Sequence, residues 1–316
     1  MSRGALPGFG RVGAILTATA LAFAVGAVVA PSSLSSASIW GMLPLVAVLS
    51  IVALGQHLVI QQRGLDLSVA GAVSVAAVIV TAMPDRAAGA GDVVLWSAMA
   101  IGGACAIGLL NGVLVVLLNV PALIATIGVN SLFTGVAIWL AGGVPRQGPR
   151  PLVALGRAEV LSLPVIPILA LIIVAVTALA MSRMVIGRNL TAVAVNPATA
   201  RLLGLPVRSL RLAAYATAGA FYGIAGVLLA AHLATPSVLS GLPYVLASVA
   251  AVVVAGNSVA GGAPASVVAT AIGALFLTYL GQLVLSVGMP VSAQAITQAA
   301  IVLISAVIAA RAGGRG

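Results

Sequence analysis

The sequence predicts an all-α integral membrane protein, a single bundle of about ten transmembrane helices spanning residues 1–316. Three observations lead there. Of the residues, 62% are hydrophobic and only 6% charged, against about 25% charged in an ordinary soluble domain. A chain this apolar cannot cover itself with polar surface in water, so a bilayer must serve as its solvent. Its apolar residues also gather into runs of roughly 20, the length that crosses a hydrocarbon core. Finally, Gly, Ala, Ser and Thr are abundant inside those runs, as in Gly102-Gly103-Ala104-Cys105-Ala106. Small residues let helix backbones approach where lipid supplies no hydrophobic drive.

In chain order the predicted spans are 13–30, 41–61, 66–83, 93–118, 121–141, 163–182, 211–232, 243–256, 266–286 and 293–310, bounded by Gly, Pro and charge. The first also fits a cleaved signal peptide, since Ala27-Val28-Val29-Ala30 puts small residues near its end. Its run is longer than a usual signal core, which favours a retained helix; cleavage would leave nine spans. The eighth segment is short and also reads as a broken or re-entrant helix, a form tolerated where protein or a water-filled cavity covers it.

Orientation follows from the arginines. The fourteen basic residues are all Arg, and basic residues concentrate on the cytoplasmic side. With ten spans and both termini inside, Arg3, Arg11, Arg63, Arg183, Arg188, Arg201, Arg208, Arg211, Arg311 and Arg315 are cytoplasmic. Arg86, Arg146, Arg150 and Arg157 then lie outside, with three of the four acids, Asp85, Asp92 and Glu159. The opposite orientation would invert the bias.

The composition excludes several chemistries. Without lysine there is no phosphate-binding Walker loop and no Schiff base. One cysteine, Cys105, allows no intrachain disulfide and reads as a small packing residue. Two His and four carboxylates, scattered, are a poor supply for a metal site. The net charge of +10 is carried by dispersed arginines among only 4% aromatics. Membrane topology explains that better than nucleic-acid binding.

The one long cytoplasmic segment is about 183–211, with five arginines and no acid. Within it Asn196 suits an N-cap and Pro197 the first helical position. The run to Gly204, with Pro206 beyond, predicts a short helix over 197–203. Such a helix is too short to stand alone and is expected to dock on something. A capped surface turn with topogenic arginines is the plainer reading.

The string GRNLTAVAVNPATARLLGLPVRSLRLAAY at 187–215 resembles the cytoplasmic coupling loop of ribose-type permeases, the membrane subunits of bacterial ABC sugar importers. GLDLSVAGAV at 64–73, NGVLVVLLNVPALIATIGVNSLFTGVA at 111–137 and VVVAGNSVAGGAPAS at 252–266 are similar to further segments of that family. Order and spacing agree over about residues 40–310. The departures are Ala194-Val195 where the family has Gly-Gly, Ala198 where it has an acid, and Ala255 and Asn257 in its Gly-Gly-Thr-Ser string.

The resemblance implies a type II ABC importer-like bundle in the bacterial inner membrane. In that arrangement a separate cytoplasmic ATPase uses ATP and Mg, and a periplasmic binding protein delivers the sugar. A second permease subunit, identical or a paralogue, completes the path through the lipid. The chain itself would bind no cofactor and would not be an enzyme. Its coupling residues would be Arg188, Asn196, Pro197, Arg201 and Gly204. The nearest alternatives are a branched-chain amino acid or nucleoside permease, and then an ion-coupled secondary transporter, against which the shortage of acids counts.

Other polar residues within spans have two readings each. Asp66, with Ser68, is either an N-cap or first-turn acid on the third span, paired with Arg63, or an ion ligand. The absence of a second nearby acid favours the structural role. His57 and His232 read as helix–helix hydrogen-bond partners. Thr126, Asn130 and Thr134 share one face of the fifth span, with Ser131 beside them. They fit a sugar-wetted path and interhelical hydrogen bonds equally well.

Overall fold

The structure is a computed structural model and describes residues 8–257, 266–290 and 292–301. It is a helical bundle. The helices are α1 (Gly8–Val29), α2 (Ser36–Gln61), α3 (Val69–Ala82), α4 (Ala90–Gly112), α5 (Ala122–Ala141), α6 (Arg150–Arg157), α7 (Val165–Arg183), α8 (Val185–Val195), α9 (Pro197–Leu202), α10 (Val207–Leu233), α11 (Tyr244–Val254) and α12 (Val267–Ser286). Residues 292–301 are also helical. A two-residue antiparallel pairing, Glu159–Val160 with Leu163–Pro164, turns the chain into α7.

Among the described residues, seven helices are long and apolar enough to cross a membrane. They correspond to the predicted first, second, fourth to seventh and ninth spans. The third is shorter than expected: α3 has 14 residues, about 21 Å at 1.5 Å per residue, because residues 64–67 are not helical and α3 begins only at Val69. The eighth, α11, has 11 residues, about 16 Å, and is buried from Ala247 to Val253. Packed protein surrounds it, the condition under which a short helix survives at membrane depth. Most of the predicted tenth span lies outside the described residues.

The centre of the bundle is α10, which packs on α2, α3 and α4. Tyr215, Ala218, Tyr222, Ala225 and Leu229 recur at helical spacing and are buried. Its other contact faces are made of glycine. A Cβ on Gly219 would strike the Ala104 carbonyl, and one on Gly226 the Val73 carbonyl. Reciprocally, a Cβ on Gly108 of α4 would strike the Tyr215 carbonyl. Small residues thus set the backbone approach of α3 and α4 to α10. By contrast α5 and α7 turn Leu123, Ile124, Leu132, Trp139, Leu171 and Val176 outward. The short α6 packs across the end of α10, where Leu152 is buried.

Candidate functional site: the short helix α9 and a buried polar loop

The segment between α7 and α10 folds into two short helices meeting at Asn196. Asn196 adopts φ −147°, ψ 97°, and its Oδ1 accepts from the Ala198 N–H (3.0 Å) and the Thr199 N–H (3.1 Å). Those are two of the donors that a helix start leaves without partners. Pro197, which has no N–H to satisfy, takes the first helical position. At the other end Gly204 has φ +78°, and the Leu205 N–H returns to the Ala200 carbonyl (3.0 Å). That left-handed stop is cheap only for glycine.

Ala200, 2% exposed, holds α9 to an apolar cluster of Leu58, Leu190, Val193, Val207, Leu210 and Ala214. The opposite face projects Arg201 with Leu202 (88% exposed) and Leu203 (73% exposed). Arg188 and Asn196 line one groove of about 490 Å³ with Thr191, Thr199 and Leu203. Arg201 lines a neighbouring one of about 510 Å³ with Pro206 and Arg208. The five coupling candidates are therefore gathered on one end of the molecule. The leucine pair beside them was missed in the sequence, where Leu-Leu after Arg201 reads as one more apolar step.

A second polar feature lies deeper. Asp66 and Ser68 are fully or almost fully buried. Asp66 Oδ1 accepts from the Ser68 N–H (2.9 Å) and Ser68 Oγ (2.6 Å), closing a turn two residues wide just before α3. Asn111 of α4 donates through Nδ2 to Ser68 Oγ (2.7 Å) and lies 3.4 Å from Asp66 Oδ1. The Gln56 amide of α2, in the orientation that satisfies both ends, donates to the Asp66 carbonyl (2.9 Å) and accepts from the Asp66 N–H (3.3 Å). Asp66 is thus held by α2 and α4. The expected pairing with Arg63 is not made, since that guanidinium turns away and donates to the Val195 carbonyl (3.3 Å).

The α5 residues meet the same loop. Thr126 Oγ1 donates to Ala122 O (2.9 Å) and lies 3.3 Å from Leu65 O, and Asn130 Oδ1 accepts from the Gly71 N–H (2.8 Å). Thr134 is half-buried beside Gly71. Ser131, on the other side of α5, is exposed.

A third cluster joins α2 to α12. Thr270 Oγ1 accepts from Asn257 Nδ2 (3.0 Å), lies 3.0 Å from the Ser266 carbonyl and shares a hydrogen bond with His57 Nδ1 (2.9 Å). Asn257 Oδ1 accepts from the Ser266 N–H (3.1 Å). An amide uses both ends here, which accounts for Asn257 where the resemblance led one to expect Thr. His232 sits half-buried near the end of α10. No group of three His, Cys, Asp or Glu side chains able to hold a metal occurs among the described residues. At the α6 end, Arg86, Arg150 and Arg157 line a groove of about 980 Å³.

Fold and site together define a multi-pass helical membrane protein with a short capped helix at one end. The chain belongs to the family described as branched-chain amino acid transport system / permease component, whose profile matches residues 38–310. All four segments that carry the ribose-type resemblance fall inside that range. Among curated proteins it is similar to the autoinducer 2 import system permease protein LsrC of Enterobacter sp. (strain 638), 31% identical over 77% of this chain and 70% of that one. The proteins of the same name from Escherichia coli (strain K12 / DH10B) and Yersinia enterocolitica are 30% and 28% identical over 77% of this chain, and 70% and 67% of their own lengths. No solved structure matches the chain. It is a transport subunit of the inner membrane, crossing it several times.

Proposed function

We propose that this chain is the membrane permease subunit of an ABC importer for a monosaccharide-like solute. A separate cytoplasmic ATPase, using ATP and Mg, supplies the energy, and a periplasmic binding protein delivers the solute. The observation that carries this reading is α9, which is capped, anchored through Ala200, and presents Arg201, Leu202 and Leu203 outward. Two adjacent leucines in water are unfavourable, and an exposed apolar patch edged by arginines suits a protein partner. Closure of the ATPase would move α8 and α9 as a unit, a rigid-body transmission.

In this reading the bundle has ten spans with both termini inside, and the groove of Arg86, Arg150 and Arg157 faces the binding protein. A second permease subunit, identical or paralogous, covers the outward apolar face of α5 and completes the path. Thr126, Asn130 and Thr134 adjoin that path, with Thr126 fastening Leu65 before α3, Asn130 fastening Gly71 in its first turn, and Ser131 offering the exposed hydroxyl. The LsrC relatives make autoinducer 2 the first solute to test. The family description makes a branched-chain amino acid the second.

The test is uptake into proteoliposomes holding the chain, its ATPase and its binding protein, with labelled solute. Uptake should require ATP, and an excess of leucine should not compete. Competition by leucine would move the substrate to the amino acid class. Proton-driven uptake by the isolated chain, abolished by Asp66→Asn, would overturn the ABC reading itself.

A further inference from the structure

Three successive polar side chains at the end of α2 fasten α8 to the rest of the bundle. Gln61 Nε2 donates to Thr191 Oγ1 (3.3 Å), Gln62 Nε2 to the Leu190 carbonyl (3.0 Å) and Arg63 Nη2 to the Val195 carbonyl (3.3 Å). Leu190 and Val195 lie in the middle and at the end of α8, and Val195 is the residue before the Asn196 cap. Arg63 therefore grips the joint between α8 and α9. Gln61 and Gln62 are buried, and burying an amide is costly unless its bonds are made. Apolar side chains would fill the same space more cheaply, so packing alone does not call for them.

The backbone at Arg63 adds an independent observation. Its φ is 61°, the left-handed region where glycine is the usual residue at a helix end. The Gly64 N–H returns to Val59 O (3.0 Å), completing that stop. Glycine would make this turn with less strain. What arginine adds is the guanidinium on Val195.

From here the chain runs directly into the buried loop. Leu65 meets Thr126 of α5, Asp66 and Ser68 meet Asn111 of α4, and Gly71 meets Asn130 of α5. We propose that Gln61, Gln62 and Arg63 are positioning residues that carry movement of α8 and α9 into the 64–68 loop and the start of α3, and so to α4 and α5. The inference rests on α9 being the surface that meets the ATPase. The link is a contiguous run of hydrogen bonds, and its function is to be read as coupling between ends, apart from docking at either.

The experiment uses the assembled importer in proteoliposomes. The variants are Arg63→Gly, Arg63→Lys and Gln62→Met, with Asn196→Ala beside them. Arg63→Gly keeps the left-handed turn in its most favourable residue while removing the guanidinium, so an arginine kept only for that turn predicts an unchanged ratio of ATP hydrolysed to solute imported. The readouts are ATPase co-purification, thermal midpoint and ATP hydrolysed per solute imported.

Coupling by the link predicts full co-purification and an unchanged midpoint for Arg63→Gly and Gln62→Met. The ATP consumed per solute should rise roughly tenfold, and Arg63→Lys, which keeps a cationic donor, should recover part of it. An unchanged ratio in both variants overturns the inference. So does loss of co-purification or of folding in Arg63→Gly, because the residues would then support docking or stability only. Failure of the underlying reading is separate: it shows as full co-purification and full transport by Asn196→Ala.

Discussion

Replacing Asn196 by alanine removes one acceptor that serves two amides, at 3.0 and 3.1 Å. Both bonds are exposed to solvent, so water competes for them, and the loss is about 1 kcal/mol within the usual 0.5–2 kcal/mol for a cap. The helix has only six residues, far below the roughly 12–15 needed for an isolated helix to persist. Its formed state is therefore poorly buffered, and about 1 kcal/mol raises the frayed fraction roughly fivefold. Ala200, packed in its cluster, keeps the segment attached to the bundle, so expression and membrane insertion should be normal. Hydrogen exchange in nanodiscs should detect the change at Ala198 and Thr199, with protection falling roughly fivefold in the alanine variant. Asn196→Asp keeps a cap oxygen and should match the wild type, while Asn196→Gly, which costs only a few tenths of a kcal/mol, should fall between. Capture of the ATPase should follow the same order. Equal exchange and equal capture by the alanine and aspartate variants would refute the idea that the cap shapes the docking helix.

Three further outcomes are expected. A reporter fused after Gly187 should be cytoplasmic and one after Gly148 periplasmic, from the arginine distribution; reversed activities would show a wrong orientation or span count. Gly219→Ala forces a methyl against the Ala104 carbonyl and should cost about 1–3 kcal/mol as overpacking. Gly128→Ala, with open space around it, should be neutral, and thermal melts of the two in detergent separate them. Thr270→Val leaves His57 Nδ1 and Asn257 Nδ2 without their partner and should cost about 1–3 kcal/mol for each buried polar group stranded; an unchanged melting midpoint would show that the cluster relaxes elsewhere.

The short helix α9 was legible in the sequence because its signals are local. An Asn cap, a Pro at the first position, a left-handed Gly and a following Pro act within about ten residues, whatever surrounds them. The membrane class was legible for a similar reason, since composition and run length depend on the solvent and not on the neighbours. The start of α3 was not. Leu65-Asp66-Leu67-Ser68 opens a helix by local rules, yet the chain stays non-helical there until Val69, because Gln56 and Asn111 bind the Asp66 backbone and the Ser68 hydroxyl from two other helices.

Sequence by itself thus determined the bilayer as solvent, the all-α bundle, the spacing of its long helices and the shape of α9. Each follows from transfer free energy or from hydrogen bonds between near neighbours. Tertiary structure alone decided what the buried polar groups do. Thr126 and Asn130 share a face by periodicity, but only the packing of α5 on α3 turns that face to Leu65 and the first turn of α3. Arg63 sits three residues before Asp66 and was expected to pair with it. A left-handed turn and the position of α8 send it to Val195 instead. Partners of that kind lie far apart in the chain, 132 residues for Arg63 and 213 for His57, and no local rule brings them together.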